Sequence, residues 1–340
     1  SIIVSIPKKG DPMDMNNYRG ISLMPVLLKL VSAIIAVRIS TALEEDGLIS
    51  NAQAGFRTNQ RCVGQVAALL EILGRWRNDG SPSMNYNGSP SMNYNRSETV
   101  EYRIRRKSDN MNSSIRDKII SYFRNILGID ITIPYNTNGL YTYNTKEPYI
   151  YNTKEAYICF VDFQKAYDTV PHEAMLYKLR TYGICGKTYN YIQKLYANSK
   201  ICVRVGNTLS PSVPLQRGLR QGCPLSPILF TIFINDILHP VIQTNEWDPS
   251  MEGLMFADDI CVFSQTETHL RELMDNITEW ANTWEMTIGA QKCGVMKVGG
   301  NGVQDIKDKE WKLQGKTIPC VSSYTYLGLL ITEDLDIKKM

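Results

Sequence analysis

The sequence has few histidines and no paired cysteines, which limits the metal chemistry that it can support. It contains three histidines, and its eight cysteines are scattered along 340 residues without a Cys-x-x-Cys pair. Because structural zinc sites are built from closely spaced cysteines and histidines, we do not expect one. Cys159, Cys202 and Cys261 lie in apolar stretches, as small core residues do in a reducing compartment.

A large charge of one sign and a long apolar run are also missing. The chain has 37 basic and 34 acidic residues, a net charge of +3 that does not by itself indicate a nucleic-acid partner. Uninterrupted apolar runs stop short of the roughly 18–20 residues that cross a bilayer, so no membrane partner is expected. The chain starts with Ser1 and shows no secretion signal, and we expect it to be a fragment of a longer polypeptide.

Two families of short repeats interrupt the chain. SPSMNYNG is followed by SPSMNYNR at 81–96, and a second unit of eight residues occurs three times at 135–158. Eight residues are far fewer than the roughly 20 that a solenoid repeat needs. The units are rich in Asn, Tyr, Ser and Thr, which do not build a core. We interpret 81–155 as a low-complexity insertion, and favour a tolerated surface excursion over a specificity arm.

Outside the insertion, apolar residues recur with both helical and strand periods. Strands are predicted at 156–163, 200–207, 293–298 and 324–331, with a strand–turn–strand over 253–263. Helices are predicted at 26–46, 63–76, 170–183, 186–198, 226–238 and 269–284. The mixture predicts an α+β fold, with an antiparallel sheet that helices cover on one face.

Aspartates lie inside two of the apolar stretches. GLMFADDICVF at 253–263 contains Asp258 and Asp259, and CFVDFQKAY contains Asp162. Burying one unpaired carboxylate costs several kcal/mol, and burying two costs more. If 254–263 forms a β-hairpin, however, its apolar arms can be buried while both aspartates project near the turn.

Carboxylates at the ends of two central strands repel each other unless a cation lies between them. Hard oxygen ligands favour Mg²⁺, which takes one or two carboxylates together with substrate phosphates. That is the arrangement of two-metal nucleotidyl transfer. An isolated Asp-Asp pair more often marks a solvated turn, so this interpretation depends on the rest of the chain.

The rest of the chain carries seven ordered blocks in which the sequence resembles the reverse transcriptase domain of non-LTR (LINE-like) retrotransposons. The blocks are IPKKGDPMDMNNYRGISLMPVLLKL (6–30), NAQAGFRTNQRC (51–62), FVDFQKAYDTVPH (160–172), PLQRGLRQGCPLSPILFTIFINDI (214–237), FADDI (256–260), TIGAQKCGVM (287–296) and YLGLLIT (326–332). The resemblance implies a right-hand polymerase with an antiparallel palm sheet packed on helices and the thumb largely absent. Fingers would occupy 1–80, the insertion 81–155, the palm 156–300, and the palm edge with the start of the thumb connection 301–340.

The resemblance also implies catalytic roles. Asp162 and Asp258 would bind two Mg²⁺ ions, for which Mn²⁺ could substitute, and the backbone carbonyl of Phe163 would complete one metal shell. Asp259 would be a neighbouring carboxylate. Lys292 would protonate the leaving pyrophosphate, a form of general acid catalysis worth about 10²–10⁴-fold. On sequence alone, an ordinary surface lysine is an equal interpretation of Lys292.

Nucleotide-binding roles follow from the same resemblance. The ring of Tyr167 would exclude the 2′-hydroxyl of a ribonucleotide, although an ordinary core aromatic is the alternative. Gln221 and Gly222 would line the nucleotide pocket, and Arg57 would reach the triphosphate with its guanidinium fork. Gln221 and Gly222 could equally belong to a loop that caps the buried helix after them.

Lys8 and Lys9 are candidates for template or phosphate contact, with solvated lysines as the alternative. Asp168 is interpreted as structural, accepting hydrogen bonds in the turn before the next helix. The implied partners are an RNA template, a DNA primer or nicked target, dNTPs, and an endonuclease region of the same polyprotein. Nuclear residence is expected from the family, with a cytoplasmic ribonucleoprotein stage as an option. A group II intron maturase-type reverse transcriptase and an inactive nucleic-acid-binding relic are the alternatives.

Overall fold

The computed structural model describes ten stretches of the chain, and the helices lie close to where the sequence predicts them. The described stretches are residues 1–8, 11–14, 17–57, 60–78, 100–103, 129–132, 140–145, 155–197, 199–238 and 252–335. The helices in these stretches are α1 (Val26–Glu45), α2 (Cys62–Asn78), α3 (Ala166–Thr169), α4 (His172–Thr181), α5 (Gly186–Tyr196), α6 (Ser226–Ile234) and α7 (Glu267–Thr283). The six predicted helices are confirmed, and α3 is an additional single turn.

The strands likewise include every predicted one. They are β1 (Ile2–Pro7), β2 (Tyr18–Leu23), β3 (Val100–Arg103), β4 (Ile129–Thr132), β5 (Leu140–Thr145), β6 (Ala156–Val161), β7 (Lys200–Val205), β8 (Thr208–Leu209), β9 (Val213–Pro214), β10 (Gly253–Phe256), β11 (Asp259–Ser264), β12 (Gly294–Val298), β13 (Lys312–Leu313), β14 (Lys316–Thr317), β15 (Ser323–Tyr326) and β16 (Leu329–Thr332). The predicted α+β class is therefore confirmed.

A four-stranded sheet forms the centre of the fold. Its order is β10-β11-β6-β12, and all its neighbouring strands are antiparallel. The register places Val161 of β6 opposite Ile260 of β11. The two strands that carry the aspartates, β6 and β11, are therefore the inner strands of the sheet.

The expectation that helices cover this sheet on one face is wrong, because both faces are buried. Cys159 and Ile260 point to a core that includes Leu179 of α4, Phe230 of α6 and Leu270 of α7. The opposite side chains, such as Phe160 and Cys261, pack in a second core with α2 and the β15–β16 hairpin.

The local sequence explains this arrangement. In β6 and β11 the apolar residues follow one another without polar alternation, which is typical of strands buried on both faces. Helix α2 lies far from these strands in sequence, so periodicity could not indicate that it covers the second face.

The second large sheet joins the N-terminus to the middle of the chain. Its order is β2-β1-β7-β8, and β9 also pairs with β7. Strand β1 pairs antiparallel with β2 and parallel with β7, where Ile2 lies opposite Cys202. The predicted 1–80 and 156–300 segments therefore share one sheet.

Helix α1 is exposed along one side. Val26, Leu30, Ile34 and Val37 recur at helical spacing and are all more than half exposed. By length and composition α1 could cross a membrane, which no other helix in the described stretches could do. Lys29 and Arg38 interrupt its apolar residues, so the statement that uninterrupted apolar runs stop short of a membrane span holds for α1 as well.

Within the predicted insertion the structure describes only three strands. They form an antiparallel sheet in the order β3-β5-β4. Apart from residue 155, the remainder of the 81–155 prediction lies outside the described residues, including all of the 81–96 repeats; of the 135–158 repeats, 140–145 and 155–158 are described.

Candidate active site

The β10–β11 hairpin presents Asp258 and Asp259 at its turn, as the sequence predicts. Phe256 pairs with Asp259, so Ala257 and Asp258 form a two-residue loop. Of these two residues only Ala257 has a positive φ, at 59°, in the position where such turns usually carry glycine. Holding a non-glycine residue in a sparsely populated conformation costs about 1–3 kcal/mol and requires support from the surrounding structure.

Asp162 directly follows the end of β6, next to this turn. Val161 pairs with Ile260 in antiparallel register. The residue after Val161 is Asp162 and the residue before Ile260 is Asp259, so these two aspartates lie side by side. The structure therefore brings Asp162, Asp258 and Asp259 to the same end of the two inner strands. The electrostatic coupling of their pKa values agrees with this closeness.

All three carboxyl groups are harder to ionise than an ordinary aspartate. Burial raises the pKa of Asp162, and the nearby charges of Lys292 and Lys8 only partly oppose this effect. Burial, followed by the charge of Asp162, raises the pKa of Asp258. Asp259 is the most exposed of the three, yet partial burial and the charges of Asp258 and Asp162 raise its pKa to about 6. The ionised form of these carboxylates is therefore disfavoured by burial, and the nearby cations offset this effect only in part.

The carboxylate oxygens at this site are suitable ligands for a hard divalent cation. The Oδ2 atom of Asp162 is buried and accepts no hydrogen bond in the described part of the chain. Among those residues no group of three or more acidic, histidine or cysteine side chains forms a ready-made metal cage. Mg²⁺ does not need one, because it retains waters and uses substrate phosphates beside one or two carboxylates.

Phe163 has its ring in the core and lies next to a short strand pairing. The ring packs edge-on against Trp280, with 6.0 Å between ring centroids. Phe163 pairs with Ile288, and the two hydrogen bonds that flank this pair use the amide of Gln164 and the carbonyl of Asp162. Neither bond uses the carbonyl of Phe163, so this pairing leaves it available as a ligand.

Lys292 lies at the solvent edge of the carboxylates. It ends a 3₁₀ turn at Ala290–Lys292, and its side chain is 75% exposed. Its Nζ lies 3.7 Å from Oδ2 of Asp162. The hydroxyl of Tyr324 donates to the backbone carbonyl of Lys292 at 2.7 Å. The structure thus joins Lys292 to the cluster and leaves its ammonium group accessible.

Tyr167 also lies beside the cluster. Its ring stacks on Phe230 at 4.6 Å and meets Phe56 edge-on at 5.9 Å. Burial, reinforced by the charge of Asp258, raises the pKa of Tyr167. Its hydroxyl is buried without a hydrogen-bond partner in the described stretches. The ring is therefore fixed by packing and not by its polar end.

The loop that carries Gln221 and Gly222 is attached to β2. The amide of Ser22 donates to the carbonyl of Gln221 at 2.7 Å. Gly222 has a φ of 98°, and a Cβ there would lie 3.2 Å from the carbonyl oxygen of Ser22. The side chain of Gln221 donates to Oδ1 of Asp168 at 2.8 Å. Asp168 is thus an acceptor, as predicted, but its donor is Gln221 and not the turn.

Arg57 makes structural contacts, which differs from its predicted position at a triphosphate. Its Nε and Nη2 donate to the two carboxylate oxygens of Glu44, at 2.8 and 2.5 Å. Its Nη1 donates to the carbonyls of Ser50 and Gln53. All three guanidinium nitrogens are therefore engaged, and they join the end of α1 to the loop after it.

Removing this pair should reveal a strong coupling. We expect Arg57→Ala and Glu44→Ala each to destabilise the protein, and the double variant to be more stable than the sum of the single effects predicts. The coupling free energy should be about 1.5–3 kcal/mol, the range for hydrogen bonds to charged groups. Urea denaturation of the four proteins measures it. Additive effects would show that Arg57 and Glu44 do not stabilise each other.

Two N-terminal cations face the carboxylates. Lys8 is exposed, and its charge lowers the pKa that burial raises at Asp162. Arg19 of β2 acts in the same direction on Asp258, after the larger effect of burial. Lys9 lies outside the described residues. The sequence analysis missed Arg19, which lies in the block at 6–30. Arg19 comes near the cluster because β1 pairs with both β2 and β7, and this pairing has no local sequence signal.

The sequence analysis also missed two residues that hold the backbone of Asp162. The amide of Gly289 donates to the carbonyl of Asp162 at 2.8 Å. A Cβ at Gly289 would lie 3.0 Å from Oδ2 of Asp162. The amide of Asp162 donates to Sγ of Cys293 at 3.4 Å. Their only sequence signal is their position in the TIGAQKCGVM block.

The model of the family "Reverse transcriptase (RNA-dependent DNA polymerase)" matches residues 118–331, which include all three aspartates and Lys292. The RNA-directed DNA polymerase from mobile element jockey of Drosophila funebris is 27% identical over 188 residues, covering 53% of this chain and 20% of that protein. The Pol polyprotein from the type-1 retrotransposable element R2 of Popillia japonica is 26% identical over 183 residues, covering 50% of this chain and 30% of that protein.

Among solved structures, telomerase from Candida albicans in complex with the TWJ fragment of telomeric RNA is similar, with 13% sequence identity and a TM-score of 0.48. The match covers 98% of this chain and 44% of that chain. The present chain spans between a fifth and about a third of the two retroelement proteins.

Proposed function

Since the chain belongs to the reverse transcriptase (RNA-dependent DNA polymerase) family, we propose that it extends a DNA 3′ end on an RNA template. The observation that carries the proposal is the cluster of Asp162, Asp258 and Asp259 at the ends of two inner strands. Their pKa values are raised, and Oδ2 of Asp162 is buried without a hydrogen bond in the described residues, with Lys292 Nζ 3.7 Å away. The relatives of the chain include polymerases of retrotransposable elements. This favours a retrotransposon reverse transcriptase over a group II intron enzyme.

The right-hand polymerase description is part of the proposal. The sheet of β6, β10, β11 and β12 would be the palm, and the N-terminal strands with α1 and α2 would be the fingers. Segment 81–155 would be an insertion between them, and 301–340 would form the palm edge and the start of the thumb connection. The position of the carboxylates at the adjacent ends of two inner strands supports the palm assignment, because regular elements position a site more precisely than loops do.

Asp162 and Asp258 would hold Mg²⁺, or Mn²⁺ in its place, with the carbonyl of Phe163 as a further ligand and Asp259 beside them. When bound, the metal would favour ionisation of the attacking 3′-hydroxyl and offset the charge of the leaving pyrophosphate. The chain itself supplies two fixed strand ends that orient these oxygens. It also excludes water from one side, where the core packs against Phe163 and Tyr167.

The cations around the cluster would bind the nucleotide. Lys292 lies close enough to Asp162 to meet a phosphate that approaches the carboxylates, and its exposed ammonium could give a proton to pyrophosphate. Lys8 and Arg19 would contact triphosphate or template from the opposite sheet. Gln221 and Gly222 would line the pocket, with Gln221 oriented by Asp168.

The proposed partners are an RNA template, a DNA primer or nicked target, dNTPs, and an endonuclease region of the same polyprotein, acting in the nucleus. RNA contact should depend on salt, because backbone charges dominate binding of this kind. Much of the length of the matched relatives lies outside the region that corresponds to this chain.

The direct test is incorporation of dNTPs on an RNA template with an annealed DNA primer and Mg²⁺. Synthesis by the parent protein that is lost in Asp258→Asn would support the polymerase and the role of Asp258. Asp275→Asn, which changes an exposed aspartate on α7, is the matched control. A parent that binds the RNA–DNA hybrid but adds no nucleotide would support the relic alternative.

The pH dependence of incorporation should depend on the Mg²⁺ concentration. Because the pKa of Asp259 is raised to about 6, incorporation should fall as the pH drops through about 6 and this carboxylate takes up a proton. Mg²⁺ competes with that proton, so more Mg²⁺ should move the fall to lower pH. Profiles of kcat/KM from pH 5 to 8 at two Mg²⁺ concentrations measure this. A pH midpoint of kcat/KM that does not change with the Mg²⁺ concentration would contradict this role of Asp259. So would the same midpoint in Asp259→Asn.

Tyr167 should discriminate through its ring and not through its hydroxyl. We expect Tyr167→Phe to retain the preference for dNTPs, because the hydroxyl has no hydrogen-bond partner in the described residues. Tyr167→Ala should lower the ratio of kcat/KM for dTTP over rUTP by about 10–100-fold, since a pocket that loses bulk discriminates less. Steady-state kinetics with both nucleotides measure the ratio. Equal ratios for Tyr167→Ala and the parent protein would assign Tyr167 to the core alone.

A further inference from the structure

A short segment before α2 lies along the outer edge of the central sheet. Gln53 forms a parallel bridge with Met255 of β10. The amide of Ala54 donates to the carbonyl of Met255 at 2.9 Å, and the amide of Met255 donates to the carbonyl of Ala52 at 2.8 Å. Residues 52–55, here called the edge segment, therefore extend the sheet beside the hairpin that carries the aspartates.

The side chain of Gln53 reaches from the edge segment to the aspartate turn. Gln53 is 1% exposed. Its Oε1 accepts hydrogen bonds from the amide of Gly55 at 2.6 Å and from the amide of Ala257 at 3.0 Å. Both partners are N–H donors, so the amide oxygen must point toward them. One buried oxygen thus bonds the residue directly before Asp258.

The bond to Ala257 is placed where the hairpin needs support. Ala257 has the positive φ of the two-residue loop, a conformation that the surrounding structure must maintain. Gly55 lies so close that a Cβ there would be 2.1 Å from the amide nitrogen of Ala257. The carbonyl of Gln53 is in turn held by Nη1 of Arg57 at 3.1 Å. The turn is therefore held from outside its own hairpin.

We propose that Gln53 is a positioning residue for the catalytic carboxylates. By bonding the amide of Ala257, it fixes the direction in which Asp258 and Asp259 leave the turn, and so their approach to Asp162. The catalytic consequence rests on the proposed function. The restraint on the turn does not, and it can be measured in a protein without activity.

Gln65 provides a matched control. It is also 1% exposed, and its Nε2 donates to the carbonyls of Ala52 and Met255, each at 2.8 Å. It therefore joins the same edge segment to the same strand, but it bonds neither Ala257 nor the aspartates. Substituting Gln65 weakens the contact between edge segment and β10 while the bond to the turn remains.

The experiment compares Gln53→Met with Gln65→Met in the full chain, since methionine keeps the shape but not the hydrogen bonds. Amide hydrogen exchange at Ala257 should be at least about tenfold faster in Gln53→Met than in Gln65→Met, because only the first variant loses the acceptor. The kcat for dNTP incorporation should fall by about 10–100-fold in Gln53→Met with little change in KM, as expected for misplaced catalytic groups.

The melting temperature separates positioning from general destabilisation. We expect both variants to melt at a lower temperature than the parent protein. Exchange and kcat are therefore measured at a temperature well below both melting transitions. If exchange at Ala257 and kcat change equally in the two variants, Gln53 is only structural and the proposal is overturned. If the parent protein incorporates no nucleotide, the proposed function fails. The exchange at Ala257 then still decides whether Gln53 restrains the turn.

Discussion

Replacing Asp162 with asparagine is expected to abolish nucleotide incorporation and to raise the melting temperature of the metal-free protein. In its proposed role Asp162 would hold the Mg²⁺ that stabilises transition-state charge, and losing such a ligand costs several kcal/mol, or about 10³-fold or more in kcat. The gain in stability has a separate cause. Burial raises the pKa of Asp162, so its ionised form is less favourable in the folded than in the unfolded protein.

The sign of the stability effect follows from linkage. With the folded pKa above the unfolded value, stability is greatest below the unfolded pKa and falls as the pH rises through the folded pKa. Asp162→Asn should therefore differ most from the parent protein at neutral pH and converge with it in acid. Thermal melts from pH 3.5 to 7.5 without divalent metal test this, with Asp275→Asn as control. A lower melting temperature for Asp162→Asn at neutral pH would contradict the conclusion that ionised Asp162 destabilises the folded protein without metal.

The second large effect is expected at Gly55. A Cβ at this position would lie 2.1 Å from the amide nitrogen of Ala257 and 2.8 Å from its Cα, so the edge segment or the aspartate turn must move. Gly55→Ala should lower kcat by about 100-fold, the effect of displacing catalytic groups by about 1 Å. It should also destabilise the protein by about 1–3 kcal/mol, as overpacking does.

Gly64→Ala is the control for this substitution. Gly64 lies in α2, and a Cβ there would have nothing within 4 Å. Alanine is the better helix former, so this variant should be stabilised by about 0.5–1 kcal/mol and retain its kcat. Urea denaturation and single-turnover incorporation measure the two quantities. An active and stable Gly55→Ala would show that the edge segment moves freely, and would weaken the positioning role of Gln53.

The aspartates could be found from the sequence because their signal is local. Asp162, Asp258 and Asp259 interrupt apolar stretches, and the hairpin that carries Asp258 and Asp259 lies entirely within 253–263. Antiparallel pairing of β6 with β11 then puts the end of one strand beside the start of the other, and so the three aspartates at one end of the sheet. The seven ordered blocks supplied the family, which the comparison confirms.

The groups around the aspartates could not be found in the same way. Gln53 contacts Ala257 across about 200 residues, and Arg19 reaches Asp258 only because β1 and β2 join a sheet with β7. Neither contact leaves a periodic pattern. Arg57 shows the same limit for a predicted role that stays a prediction. Its residue type suits phosphate, but whether its guanidinium is free depends on Glu44, which lies on another element.

The parallel pairing of β1 with β7 has a consequence for synthesis of the chain on the ribosome. Ile2 pairs with Cys202, so the first strand must wait for some 200 further residues before its partner exists. At about 5–20 residues per second, this interval lasts about 10–40 s. Segment 81–155 accounts for about 4–15 s of it at the same rate. Each unit added to the repeats therefore lengthens the time during which β1 of the nascent β1–β2 hairpin lacks its second partner strand.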